Sequence, residues 1–182
     1  TILMSDIRGF TTLCEQLEPT QVVTMLNRYL GAMTDIILAR NGTIDEFLGD
    51  AILAVFGAPQ RRDDDADRAV QCALAMQAAM DDVNAANAAE GLPALRTAIA
   101  LNTGTVIAGN IGSERRSKYG FVGHPMNVTS RIEDAAGPEE VLAADSTVAA
   151  LAGRATVAES RELQARGIDE ALRVHLVTGY AP

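Results

Sequence analysis

No run of ~18 or more apolar residues occurs in this chain, so no segment reads as a membrane-spanning helix. The longest nearly apolar patch, around Leu30 to Ala39, is interrupted by Gly31, Thr34 and Asp35. A secretory leader and an initiator Met are both missing, and the chain opens within what reads as a strand. We expect an excised domain whose parent protein carries further segments. Cysteine is scarce: Cys14 and Cys72 are far apart and form no CxxC pair. That excludes a disulfide framework and predicts reduced thiols packed in helices, consistent with a cytoplasmic location. Basic residues are outnumbered, 15 Lys and Arg against 24 Asp and Glu, leaving a net charge of −9. Nucleic acid and anionic membrane surfaces are therefore excluded as main partners. Neither internal repeats nor low-complexity segments interrupt the 182 residues. What remains is a 19.2 kDa chain, 48% hydrophobic and 21% charged, long enough to bury one sizeable core.

The stretch from Thr43 to Phe56 organises the reading. Two short apolar runs flank Gly49-Asp50, and such a pair between such runs predicts a β-hairpin turn with the Asp50 carboxylate at its tip. Turn aspartates commonly do nothing else. A second segment gives this one meaning: the apolar run from Thr1 ends in Asp6, and Arg8-Gly9-Phe10-Thr11 then leads into a helix. Two carboxylates at two strand ends are the minimum for holding a pair of divalent cations, with the Ile7 carbonyl as a third ligand. Backbone N–H groups at the helix start, including Gly9, Phe10 and Thr11, would bind an anion beside them.

The rest of the chain alternates helices and strands. Pro19 breaks the first helix and Thr20 is expected to cap the next, whose Val22, Leu26, Tyr29, Met33 and Ile37 recur at helical spacing until Asn41-Gly42. Asp63, Asp64, Asp65 and Asp67 resemble a metal cluster, but acidic residues opening a long helix to Ala89 are better explained by its positive end. Strands are expected at 96–101 and 106–111, paired across the Asn102-Thr103-Gly104 turn. A charged loop follows at 113–118, then a strand at 119–122 and a helix from Met126 to about Ala136. A short strand at 141–143 precedes a helix capped by Asp145, and a hairpin at 156–163 and 172–178 ends the chain. His124 and His175 read as structural. Antiparallel strand pairs mixed with helices make this an α+β fold.

Asp6-Ile-Arg-Gly-Phe-Thr11, Phe47-Leu-Gly-Asp50, Asn102-Thr-Gly104 and Asn127-Val-Thr-Ser-Arg131 together resemble the successive motifs of class III nucleotidyl cyclase catalytic domains, in order and over essentially the whole chain. The resemblance implies a ferredoxin-like βαββαβ core with additional elements across residues 1–182. It also implies conversion of a nucleoside triphosphate to the 3′,5′-cyclic monophosphate and pyrophosphate, with two Mg2+ or Mn2+ per active site. Asn127 and Arg131 match the family's ribose donor and transition-state cation, and lie i and i+4 on one helix face. In the family these two come from the partner of a head-to-tail dimer. A homodimer of this chain would thus hold two composite sites.

Several positions depart from the family pattern. At the base-reading positions stand Glu46, where adenylate cyclases carry Lys and guanylate cyclases Glu, and Gly120, which offers no side chain. Glu46 points to GTP, whereas bacterial domains of this kind are more often adenylate cyclases; on that ground ATP is favoured. Ala98 replaces a phosphate-binding Arg, with Arg96 two residues away on the same strand face as a substitute. Arg166, in Gln164-Ala-Arg-Gly167, stands where a Lys binds the terminal phosphates. A nucleotide-binding regulatory domain that dimerises without turnover is the rival reading. Decayed domains lose one or more of Asp6, Asp50, Asn127 and Arg131, and none is lost here. A diguanylate cyclase is disfavoured, since no Gly-Gly-Asp/Glu-Glu-Phe hairpin appears.

Overall fold

The computed structural model describes residues 1–164 and 171–181. Strand β1 (Ile2–Ile7) leads through helix α1 (Phe10–Gln16) and helix α2 (Pro19–Ala39) to the hairpin β2 (Thr43–Leu48) and β3 (Ala51–Val55). Helix α3 (Asp65–Ala89) then returns the chain to β4 (Thr97–Asn102). In the sheet these strands run β2-β3-β1-β4, every neighbour antiparallel, which is the βαββαβ arrangement expected from the sequence. The sheet continues with β7 (Val141–Ala144), β9 (Leu172–Tyr180) and β8 (Ala155–Leu163). Among the described residues, only β4 and β7 pair in parallel. The short helix α5 (Asp145–Ala150) follows β7.

Side chains alternate across β1 and β4, and the two faces of the sheet are covered differently. Leu3, Ile7, Ile99 and Leu101 point into the main core beneath α2 and α3, where Met25, Tyr29, Met33 and Ile37 form the buried stripe of α2. Length and hydropathy alone would let α2 span a membrane. Its stripe instead packs on the sheet, as in a core helix. The opposite face is covered by helix α4 (His124–Ala135), whose Val128 and Ile132 pack on Ala98, Ala100 and Leu142. Ala98 is fully buried there, so an Arg at this position would have to displace α4.

Three local expectations are corrected. Thr20 lies inside α2; the helix is capped by Glu18, which exchanges hydrogen bonds with Gln21 in a capping box, and Pro19 takes the first helical position. The strand after the Asn102 turn does not return along β4. It is β5 (Ile107–Ser113), which pairs with β6 (Arg116–Val122) in a separate two-stranded arm. The anticipated charged loop at 113–118 is therefore mostly the tip of that arm. Asp67 is also more than a charge at a helix start. Buried at 6% exposure, it accepts from the Tyr180 hydroxyl at 2.8 Å and pairs with Arg154.

Candidate active site

Asp6 and Asp50 are brought together by strand register. Ser5 pairs with Ile52 on β3, and continuing that antiparallel ladder sets Ile7 opposite Asp50. The Gly49-Asp50 turn is formed as read, with Gly49 at φ 69°, a left-handed conformation that suits glycine. The Asp50 carboxylate turns back over the end of β1, and the Ile7 backbone N–H donates to its Oδ2 at 3.2 Å. Asp6 lies close enough to share a proton with Asp50. Burial first, then that shared hydrogen bond and the Asp50 charge, push the Asp6 carboxyl up to about 7. Two hard oxygen donors are thus held together against their own repulsion, and a divalent cation between them would relieve it. The pair fits the metals expected from the sequence.

The helix start expected to bind an anion follows directly on the two aspartates' strand end. Gly9, at φ 75°, starts α1 without any side-chain cap, and the Phe10 and Thr11 backbone follows at once after Asp6 and Ile7. Arg96 flanks the same strand end: its carbonyl accepts from the Arg8 N–H at 2.8 Å, while its side chain is exposed. Arg166 lies outside the described residues.

Among the described residues, no hydrogen bond or ion pair joins Asn127 or Arg131 to Asp6 or Asp50. At ~100° per residue Asn127 and Arg131 share one side of α4, nearly opposite the side that carries Val128, Ile132 and Glu133 onto the sheet. Both are exposed, and among the described residues the Arg131 guanidinium meets only Asp134, at 3.1 Å.

The two positions expected to read the base lie on β2 and β6, which pack against each other. Glu46 on β2 ion-pairs with Lys118 on β6 at 3.1 Å, and Asp45 lies 3.7 Å from the same ammonium. Gly120 faces Asp45: a Cβ there would sit 3.3 Å from Asp45 Oδ1. Sequence reasoning missed Asp45 and Lys118. Asp45 sits in a β-bulge between Ile44 and Glu46, which turns it toward the arm. Lys118 was counted with the charged loop.

Arg8 and Glu133 were missed as well. Arg8 was read only as a turn residue, but its Nε donates to the Ala136 carbonyl at 3.0 Å and Nη2 meets the Glu133 carboxylate at 2.7 Å. Nη1 reaches to within 3.6 Å of Asp6. Glu133 is buried, which raises its pKa despite the Arg8 charge. The legible signal was Glu133 itself, a carboxylate one residue from Ile132 on the apolar side of α4, where only a paired charge is tolerated.

Together these elements define an α+β domain with paired carboxylates at one strand end and a separate two-stranded arm. The family model for the adenylate and guanylate cyclase catalytic domain matches residues 1–179, and the chain belongs to that family. Adenylate cyclase 1 of Rhizobium meliloti is 33% identical over 98% of this chain and 27% of its own length. Among solved structures, the guanylyl cyclase Cya2 is 44% identical with a TM-score of 0.96, covering 99% of this chain and 91% of that one. The adenylyl cyclase CyaB from P. aeruginosa is 31% identical with a TM-score of 0.92, covering 99% and 93%. The chain spans about a quarter of the curated relatives it matches, 27% and 26% for two of them.

Proposed function

We propose that this domain cyclises a purine nucleoside triphosphate, releasing pyrophosphate. The observation that carries the reading is the carboxylate pair, Asp6 and Asp50, held together beside an uncapped helix start. Asp6, Asp50 and the Ile7 carbonyl would hold Mg2+ or Mn2+, two per site, which when bound would acidify the ribose 3′-hydroxyl and neutralise phosphate charge. The chain itself does the positioning. Backbone N–H groups from Gly9 to Thr11 hold the phosphates, and Arg96 and Arg166 meet the terminal ones. Asn127 orients the ribose, and Arg131 meets the charge that develops on the α-phosphate as the 3′-oxygen attacks.

The exposure of Asn127 and Arg131 on the side of α4 away from the sheet supports a composite site, each chain lending its α4 to the other's metals. A C2 homodimer satisfies that requirement twice over. Exposed apolar residues support a covering partner: Ile107, Val122 and Tyr119 on the arm, and Phe47 and Leu48 at the β2–β3 tip. The triphosphate substrate places the domain in the cytoplasm.

ATP stays first as substrate, in line with the adenylate cyclases among its relatives. GTP is the second reading, favoured by the Glu46–Lys118 pair. A carboxylate accepting from guanine N1–H and its amine, beside an ammonium donating to O6, matches that edge atom for atom. Product analysis with ATP and GTP, each with Mg2+ and with Mn2+, tests both. A 3′,5′-cyclic monophosphate and pyrophosphate are expected. Nucleotide binding without either product would establish the regulatory reading instead. Glu46→Lys should move the preference toward ATP by about tenfold, since a donor then meets adenine N1. An unchanged ratio would remove Glu46 from base selection.

A further inference from the structure

Arg8 sits between Asp6 and the Gly9 turn, yet its guanidinium is directed at the far end of another element. It donates to the Ala136 and Glu133 carbonyls that close α4 and pairs with the Glu133 carboxylate. Helix α4 has no basic residue in its own last turn, so Arg8 supplies the cation that its C-terminal carbonyls call for. Glu133 is 4% exposed, and among the described residues Arg8 is the cation bound to it. Arg131 lies two residues before Glu133 on the same helix, so whatever fixes Glu133 also fixes the height and rotation of Arg131.

We propose that the Arg8–Glu133 clamp is a positioning device that acts in trans. The inference rests on the composite-site reading above. Arg8 registers α4 against the Asp6 strand end of its own chain, while Asn127 and Arg131 of that α4 work in the site whose aspartates belong to the partner. Each guanidinium therefore sets the transition-state contacts of the other site. It also ties the two sites of a dimer together, since the strand end carrying Asp6 in one site and the helix serving the other are fastened by the same side chain. A purely stabilising ion pair would have no such address: its loss would be felt equally wherever it was placed.

Mixed dimers read the address directly. An Asp50→Ala chain paired with an Arg131→Ala chain leaves one competent site, with α4 from the first chain and aspartates from the second. Arg8→Lys is then introduced into one chain at a time. Lysine keeps a cation beside Glu133, so the fold is retained, but it cannot reach both helix carbonyls and the carboxylate at once. Placed in the Asp50→Ala chain, it should lower kcat about tenfold with KM little changed, because the misplaced contact belongs to the transition state. Placed in the Arg131→Ala chain, it should cost less. Equal losses, or a larger loss in the second placement, overturn the proposal. Absence of any rescue from the parent mixture would instead overturn the composite site, and this inference with it. A readout independent of turnover is deuterium exchange in metal-free protein. Amides 131–136 should exchange faster in Arg8→Lys than in wild type, and identical protection there would equally overturn the clamp.

Discussion

Asp6 and Asp50 are fixed by neighbours on every side: two sheet ladders, a backbone N–H at 3.2 Å, and the Gly49 turn. Asn127 and Arg131 stand on the open side of α4, and among the described residues Arg131 has one surface partner. The two halves of one proposed site are thus built in opposite ways. The metal side needs rigidity, because two like charges stay adjacent only if the backbone gives them no room to part. In the proposed composite site the helix side needs only a rigid platform, since its partners would come from another chain. There, that difference would let folding alone complete one half and leave the other to a second chain.

The sharpest break of the metal side is Asp50→Ala. Turnover should fall by about 10³-fold or more, because charge stabilisation at the phosphates is lost at once. Folding should survive, since the substitution relieves repulsion. Steady-state rates together with circular dichroism check this. A well-folded Asp50→Ala protein retaining a tenth of the wild-type rate would sink the two-carboxylate reading.

Arg131→Ala breaks the other half and should cost on the order of 10²–10³ in rate without loss of stability, as the side chain is exposed. Mixing it with Asp50→Ala should restore activity. In a heterodimer one interface collects both defects and the other neither, giving about a quarter of wild type per total chain under random pairing. Dilution below the dimer dissociation constant should abolish the rescue. Failure to rescue, with heterodimers demonstrated by mass, would mean that the site is assembled inside one chain.

How far the sequence reached follows the same division. The βαββ order, the Asp50 hairpin and the span of α3 were legible because local patterns encode them: apolar runs, a Gly-Asp turn, acidic residues at a helix start. The β4–β5 pairing was misread because nearby strands joined by a short turn usually pair. Here β4 already has β1 on one edge and takes β7 on the other, a parallel neighbour that lies across α4 and that no local signal announces. The Arg8 contact with Glu133 spans 125 residues, beyond any spacing rule. Asp45 turns toward the arm through a bulge, which shifts register by one residue and changes which acid faces Gly120. Glu46 was identified from the motif, but its Lys118 partner needed the arm to be folded. Asn127 and Arg131 were legible only as a pair on one face; where that face points was a property of the packed helix.

A smaller effect isolates the strain on the metal side. Asp6 titrates near 7 in the folded chain, well above an unfolded aspartate. Between those values the folded state keeps a proton that the unfolded state has released, so stability falls as pH rises through that window. Asp6→Asn has no such proton. In EDTA the variant should therefore melt above wild type at pH 8, and the gap should close toward pH 5. Mg2+ should raise wild type alone at the higher pH. A gap independent of pH would mean that the two carboxylates do not press on one another.

The smallest expected effect tests the openness of the helix side. Arg131 and Asp134 are i and i+3 on α4, with side chains 45% and 59% exposed. Such pairs contribute about 0.2–0.5 kcal/mol at most and are screened by salt. If the pair only parks Arg131 until substrate arrives, Asp134→Ala should leave the melting temperature almost unchanged. It should raise kcat/KM by about twofold at low ionic strength, because the guanidinium no longer has to leave a carboxylate to meet the phosphate. The gain should disappear at high salt, where the pair is already weakened in wild type. A several-fold loss of activity that persists in salt would show the opposite, that Asp134 holds Arg131 in its working position. The helix side would then be pre-set within the chain, as the aspartates are, and the contrast between the two halves would narrow to exposure alone.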